Sequence, residues 1–243
     1  MKIGPDCVPC ILKMCLGFIR KTELGDSEAF ELFNDVMKIP SLKGEDWTVT
    51  SPDVIEKVMR ISYEMLGDEN PSHLQSTIRD KMKYPLPEEQ YQQMKGQLAN
   101  TRRLVYFGDN AGEIVLDKLL ISTLKELYDL DVTFVVRSMP TLNDVTLTDA
   151  LDIKMNKVAR VLENGIDGPF PGTRMFRCSP EIQDIFRQAD LVISKGGGNF
   201  DSLDEDKKRY GQKISFLFLS KCYLYEKLLH TPLEAPILSN YYD

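Results

Sequence analysis

Apolar residues in this chain change their spacing partway along. From about Cys7 to Asn100 they recur at three and four positions, with Val8, Ile11, Leu12, Cys15 and Ile19 on one face and Val54, Val58, Ile61 and Met65 on another. That spacing predicts helices. Ser51-Pro52-Asp53 supplies a cap with proline in the first turn, Gly67-Asp68-Glu69-Asn70-Pro71 stops the helix it starts, and Tyr84-Pro85-Leu86-Pro87 marks another break.

After Arg103 the pattern becomes short apolar runs separated by helical stretches. Strands are predicted near 104–107, 132–137 and 158–162, at Asp190 to Lys195 and at Ile214 to Leu219. Helices are predicted near 112–128 and 147–154, after Ser179-Pro180-Glu181, after Phe200 and around Cys222 to Leu229. Strands alternating with helices indicate a Rossmann-like α/β fold with a parallel or mixed sheet flanked by helices. The expected division is a helical N-terminal domain over 1–100, packing as a cap across the strand ends, and an α/β domain over 101–243.

Three strand ends carry polar, turn-rich loops. Leu104-Val105-Tyr106-Phe107 runs into Gly108-Asp109-Asn110-Ala111-Gly112-Glu113, the second strand into Arg137 through Asn143-Asp144, and the fourth into Lys195-Gly196-Gly197-Gly198-Asn199. Ligands of parallel sheets bind beyond the carboxyl ends of the strands, where crossover helices begin with free N–H groups and a positive dipole end. Hard oxygen donors and cations therefore converge if the strands are parallel.

Each motif also has a plainer structural reading. Asp109-Asn110 before a glycine-containing turn suits an Asx turn that starts the next helix. Two carboxylates and a carboxamide also suit Mg²⁺ or Mn²⁺ held by few protein ligands. Lys195 with three glycines is either a flexible turn or a phosphate site in which Lys195, Gly196, Gly197 and Asn199 surround the anion, and the second reading is favoured. The run is neither a dinucleotide fingerprint, since it lacks the final glycine, nor a P-loop, since no Gly-Lys-Ser/Thr follows. Arg137 is open between a buried stem and a phosphate clamp, and Glu113 between a first-turn acid and a partner of a metal-bound water.

Together these motifs, in order with Asp167-Gly168 and Pro171-Gly172-Thr173, resemble the DUF89 family of metal-dependent damage-control phosphatases. The opening Asp6-Cys7-Val8-Pro9-Cys10 resembles its small, CxxC-bearing prokaryotic branch. The resemblance implies metal binding and catalysis by Asp109, Asn110 and Asp144, with Mg, Mn, Co or Ni as the divalent ion. It also implies hydrolysis of small phosphomonoesters, sugar phosphates or damaged metabolites. Either a water activated by the metal or an aspartate would be the nucleophile.

Composition narrows the classes. The chain has 243 residues, 42% of them hydrophobic and 28% charged, which is ordinary for a globular protein with a real core. A formal net charge of −7 without a basic block argues against nucleic acid. No apolar stretch approaches the roughly 20 residues that span a bilayer, and the first residues lack the core of a signal peptide, so the cytoplasm is expected. Five cysteines make no secreted disulfide framework, and only His73 and His230 are present. Cys7 and Cys10 have no preceding strand and no second CxxC, so a structural or metal-binding role is preferred over thiol catalysis, although Cys15, Cys178 or Cys222 could approach them.

Two alternatives belong to other classes. One is a carboxyl methyltransferase dependent on S-adenosylmethionine, disfavoured by the missing glycine-rich loop and acidic partner. The other is a CxxC metal-binding or redox protein. Asp129-Leu130-Asp131-Val132-Thr133 imitates the nucleophile motif of haloacid dehalogenase phosphatases, but it precedes its strand, so a solvated turn is expected.

Overall fold

The computed structural model describes residues 2, 4–12, 26–46, 48–50, 52–57 and 87–242. Expectations for Cys15, Ile19, Ser51, Val58, Ile61, Met65, residues 67–71, His73 and residues 84–86 lie outside them.

Six strands form one sheet: β1 (Arg103–Phe107), β2 (Asp131–Val136), β3 (Arg160–Glu163), β4 (Leu191–Lys195), β5 (Ile214–Leu219) and β6 (Pro236–Tyr241). Their order is β3-β2-β1-β4-β5-β6, with β1 to β5 parallel and β6 antiparallel to β5. The helices are α1 (Asp26–Val36), α2 (Glu88–Leu98), α3 (Ile114–Leu127), α4 (Leu147–Asp152), α5 (Pro180–Gln188), α6 (Gly197–Tyr210) and α7 (Tyr223–Leu229). Residues 7–12 and 52–57 are also helical.

Alternating side chains divide the core between the two sheet faces. Leu104 and Tyr106 of β1, Phe134 of β2 and Ile193 of β4 pack with Ile114 and Ile121 of α3. Val105 and Phe107, Val192 and Phe216 pack on the other face with Phe186 of α5 and Phe200 of α6. Strands covered on both faces read as nearly continuous apolar runs, which is why β1, β4 and β5 are legible in the sequence.

Local signals set the helix starts. The Ser179 hydroxyl accepts from the Ile182 N–H ahead of Pro180, and Thr146 and Asp149 form a reciprocal capping box at α4. Asp129 lies exposed in the turn before β2, whereas Asp131 is the exposed first residue of the strand itself. The loop after β4 differs from expectation: α6 starts at Gly197, not after Phe200, so Gly197 and Gly198 belong to the first helical turn.

The described residues of the N-terminal part bring a smaller core of Cys7, Ile11, Leu32, Val36, Ile39, Leu42 and Val54. Two arginines tie it to the α/β part. Arg174 donates to Asp53 at 2.6 Å and to Glu205 at 3.2 Å, and Arg177 donates to both oxygens of Glu56 at 2.7 and 2.9 Å. Among the described residues no helix is long and apolar enough to cross a membrane.

Candidate active site

Strand order reverses between β1 and β4, whose connections leave in opposite directions and open a crevice at their carboxyl ends. Asp109 follows β1 and Gly196 follows β4, so both stand at that crevice. Gly196 has φ +83°, and a Cβ there would occupy the space of the Asp109 carboxylate. A glycine is needed for the turn and for the carboxylate at once.

The loop after β2 folds back onto the loop after β1. The Val145 N–H donates to the Asp109 carbonyl at 2.7 Å and the Ala111 N–H to the Asn143 carbonyl at 2.8 Å, making an antiparallel bridge between Asn110 and Asp144. Asp109, Asn110 and Asp144 are thereby brought together although they come from two separate loops. Both carboxylates are about 8% exposed. Burial, and then the neighbouring Asp144, push the Asp109 carboxyl up to about 7. Burial also raises Asp144, against the pull of Arg137.

Arg137 lies behind this pair. Its Nε donates to Asp144 at 2.6 Å and its Nη1 to Thr173 and Asn199 at 3.2 and 3.1 Å. Asn199 is fully buried: its oxygen accepts from Arg137 and Thr173, and its amide donates to the carbonyls of Gly108 and Lys195. These contacts lock the ends of β1, β2 and β4 together.

Lys195 turns toward the start of α3. Its ammonium donates to Glu113 at 2.9 Å and to Asp117 at 3.0 Å, and Asp117 also accepts from the Tyr106 hydroxyl at 2.6 Å. Burial disfavours the ammonium, but Asp117 and Glu113 together hold its pKa above the ordinary lysine value. Glu113 in turn accepts from the Asn110 amide at 2.6 Å.

A cavity of about 360 Å³ opens in front of Asp109, Asn110 and Asp144. Gly197 and Gly198 present the start of α6 to it, and Lys221, Asp201 and Tyr225 line it with them. Its outer wall is Cys7, Cys10, Ile11, Pro52 and Ile55 from the N-terminal helices, with Cys222 and Leu224 from the region of α7. The CxxC thus borders the same cavity as the oxygen donors. Of the residues expected to hold phosphate, Gly197 lines the cavity, whereas Lys195, Gly196, Asn199 and Arg137 lie around it.

Sequence reasoning missed Lys221 and Tyr225 and gave Asp201 no separate role, whereas Cys222, named as a possible neighbour of Cys7 and Cys10, lines the same cavity as they do. Ser220-Lys221 directly follows β5, so the strand-end rule applied to three loops would have found a fourth. Burial pushes the Asp201 carboxyl up to about 7. Two acids with a carboxamide and no histidine make a hard-donor set suited to a small divalent cation. Among the described residues no group of three or more His, Cys, Asp or Glu is placed to hold a metal. The candidate set contains two acids, and its third donor is the Asn110 carboxamide.

The fold and this site define a doubly wound α/β protein with oxygen donors at its switch point. Residues 61–235 match the model of the damage-control phosphatase ARMT1-like domain, and the chain belongs to that family, also known as DUF89. It is 25% identical over 207 residues to a damage-control phosphatase of Pyrococcus horikoshii, covering 80% of this chain and 70% of that protein. An uncharacterized protein of Methanocaldococcus jannaschii is 39% identical over 123 residues, or 51% of this chain and 40% of that protein. A damage-control phosphatase of Archaeoglobus fulgidus is 33% identical over 120 residues, or 49% and 40%. The chain therefore matches less than half the length of two of these three relatives. The crystal structure of a DUF89 family protein from Pyrococcus horikoshii aligns over 98% of both chains with a TM-score of 0.77 and 18% identity, which shows a shared fold.

Proposed function

We propose that this chain is a metal-dependent phosphatase acting on small phosphomonoesters such as sugar phosphates or damaged metabolites. The observation that carries the reading is the backbone bridge that sets Asp109 and Asn110 against Asp144 at the switch point of the sheet. The names of the Pyrococcus and Archaeoglobus relatives support the same activity.

Asp109, Asn110 and Asp144 would hold the divalent ion, Mg, Mn, Co or Ni. When bound, that ion supplies positive charge that neutralises and polarises the phosphoryl oxygens. The protein's own part is positioning and electrostatics. Arg137 fixes Asp144 by its Nε hydrogen bond and places a second positive charge behind the carboxylates. Gly197 and Gly198 leave the amino end of α6 open to an anion, and Lys221 adds a cation on the same cavity. The near-burial of Asp109 and Asp144 lowers the effective dielectric around them and so strengthens each of these interactions.

The direct test is phosphate release from a panel of phosphomonoesters after chelation and reloading with each metal in turn. Turnover is expected with at least one ion and is expected to disappear in Asp109→Ala, Asn110→Ala and Asp144→Ala. Native turnover by Asp109→Ala with unchanged metal dependence would refute the site. No turnover with any metal and ester would refute the reading.

A further inference from the structure

Lys195 follows Leu191 and Ile193 along β4 at every second position, so it leaves the strand on the α3 face of the sheet. It arrives beneath the first turn of α3, where the helix dipole disfavours a cation. Two acids one helical turn apart, Glu113 and Asp117, receive it, and the Tyr106 hydroxyl anchors Asp117 from β1. Four side chains from β1, α3 and β4 are thereby joined into one network.

That network ends on Asn110. Both N–H bonds of its carboxamide are used, one on Glu113 Oε1 at 2.6 Å and one on Asp109 Oδ2 at 3.0 Å. Turning the amide over would set its oxygen against two carboxylate oxygens, so only one orientation is tolerated. It leaves the carboxamide oxygen for the cavity that Asn110 lines. Glu113 is the exposed joint in the chain, its side chain about 40% accessible against 17% for Lys195. Its Oε2 accepts from Lys195 while its Oε1 holds Asn110, so loss of the ammonium frees the carboxylate to swing into solvent.

We propose that Lys195 is a positioning residue that, through Glu113, fixes the Asn110 carboxamide oxygen in the direction of the divalent cation. The inference rests on the metal site assigned to Asp109, Asn110 and Asp144. It gives Lys195 a role different from direct capture of the substrate phosphate.

The test is Mn²⁺ binding by calorimetry and by the electron paramagnetic resonance of free Mn²⁺, with no substrate present. Lys195→Ala and Glu113→Ala should each weaken Mn²⁺ about tenfold or more, the usual scale for groups that orient metal ligands. The double variant should be no worse than Glu113→Ala alone, because both act through one carboxylate. Lys195→Arg should recover most of the affinity. If Lys195→Ala leaves Asp117 buried without its cation and the protein does not fold, Lys195→Met combined with Asp117→Asn removes both charges and should show the same weakening. Wild-type Mn²⁺ affinity in these variants, or additive losses in the double variant, would overturn the proposal. Weaker inorganic phosphate binding with unchanged Mn²⁺ affinity would overturn it too and assign Lys195 to the anion. Absence of Mn²⁺ binding by the wild type would instead overturn the metal reading on which it rests.

Discussion

Asp109 and Asp144 are each about 8% exposed and repel each other, so a proton or a bound cation stabilises the pair. The carboxyl of Asp109 is pushed up to about 7 from an ordinary 3.8, by burial first and Asp144 second, and Asp201 on the same cavity is raised by burial to about 7. An acid with a folded pKa above its unfolded value carries an extra proton in the folded state between the two. Folding is then favoured at acid pH, and the advantage is lost as the pH rises through the folded value. The metal-free protein is therefore expected to lose stability between about pH 4 and 7 and to level off above. Thermal melts in chelator from pH 4.5 to 8 would measure this. Asp109→Asn should shallow the slope, raise the metal-free melting temperature at pH 8 and abolish Mn²⁺ binding. An unchanged slope would show that Asp109 is not its source.

Sequence shows which residues carry oxygen donors and which end strands, because those facts are local. It does not show pairings across 78 or 82 positions, such as Lys195 with Asp117 and Glu113. A lysine before a glycine run reads naturally as an anion ligand. Its direction is decided by strand parity, since the β4 position of Lys195 faces α3. Asn199 is similar: beside three glycines it suggests a ligand, yet the packing of Thr173 and Arg137 around it makes it a tie between loops.

At the scale of elements, the junction of β4 with α6 does the most to shape the site. Gly196 turns the chain with φ +83° and gives its side-chain space to Asp109, while Gly211 ends α6 with φ +63° and meets nothing within 4 Å. Alanine at Gly211 should therefore cost only the left-handed backbone term, roughly 1–2 kcal/mol. Alanine at Gly196 should cost that plus the displacement of Asp109, and it alone should weaken Mn²⁺ binding. Urea melts of the two variants, with calorimetric titration of Mn²⁺, isolate the difference. Equal stability losses with intact metal binding in both would remove the packing of Gly196 on Asp109 as a constraint.

Strands with nearly continuous apolar runs, β1, β4 and β5, stand out in the chain. β6 does not. It begins at Pro236, which needs no N–H partner at an edge, and its polar Ser239 and Asn240 interrupt the apolar run. Gln90 of α2 holds Asn240 through a backbone and a side-chain contact at 2.9 and 2.6 Å, a tertiary interaction 150 residues long that local spacing does not encode.

For the whole molecule, the cavity exists because the N-terminal helices lie over the ends of the strands and close one wall with Cys7, Ile11, Pro52 and Ile55. The helical pattern of those residues is legible, but their place beside the oxygen donors is not, since it depends on the contacts of Arg174 and Arg177. Arg177 grips Glu56 with two nitrogens, reaches Asp167 at 3.0 Å and stacks over Phe170 at 5.2 Å. Arg177→Ala removes these contacts while leaving every oxygen donor in place. It should destabilise the protein by about 1–3 kcal/mol, discounted because Arg177 is partly solvated, and speed hydrogen exchange over residues 52–57 more than over β1. If the wall helps to bind the substrate body, KM for a phosphomonoester should rise more than kcat falls, because the reacting end is untouched. A fall in kcat at constant KM would move Arg177 from holding the wall to shaping the chemistry, and exchange at 52–57 equal to wild type would show that other contacts hold the helix down.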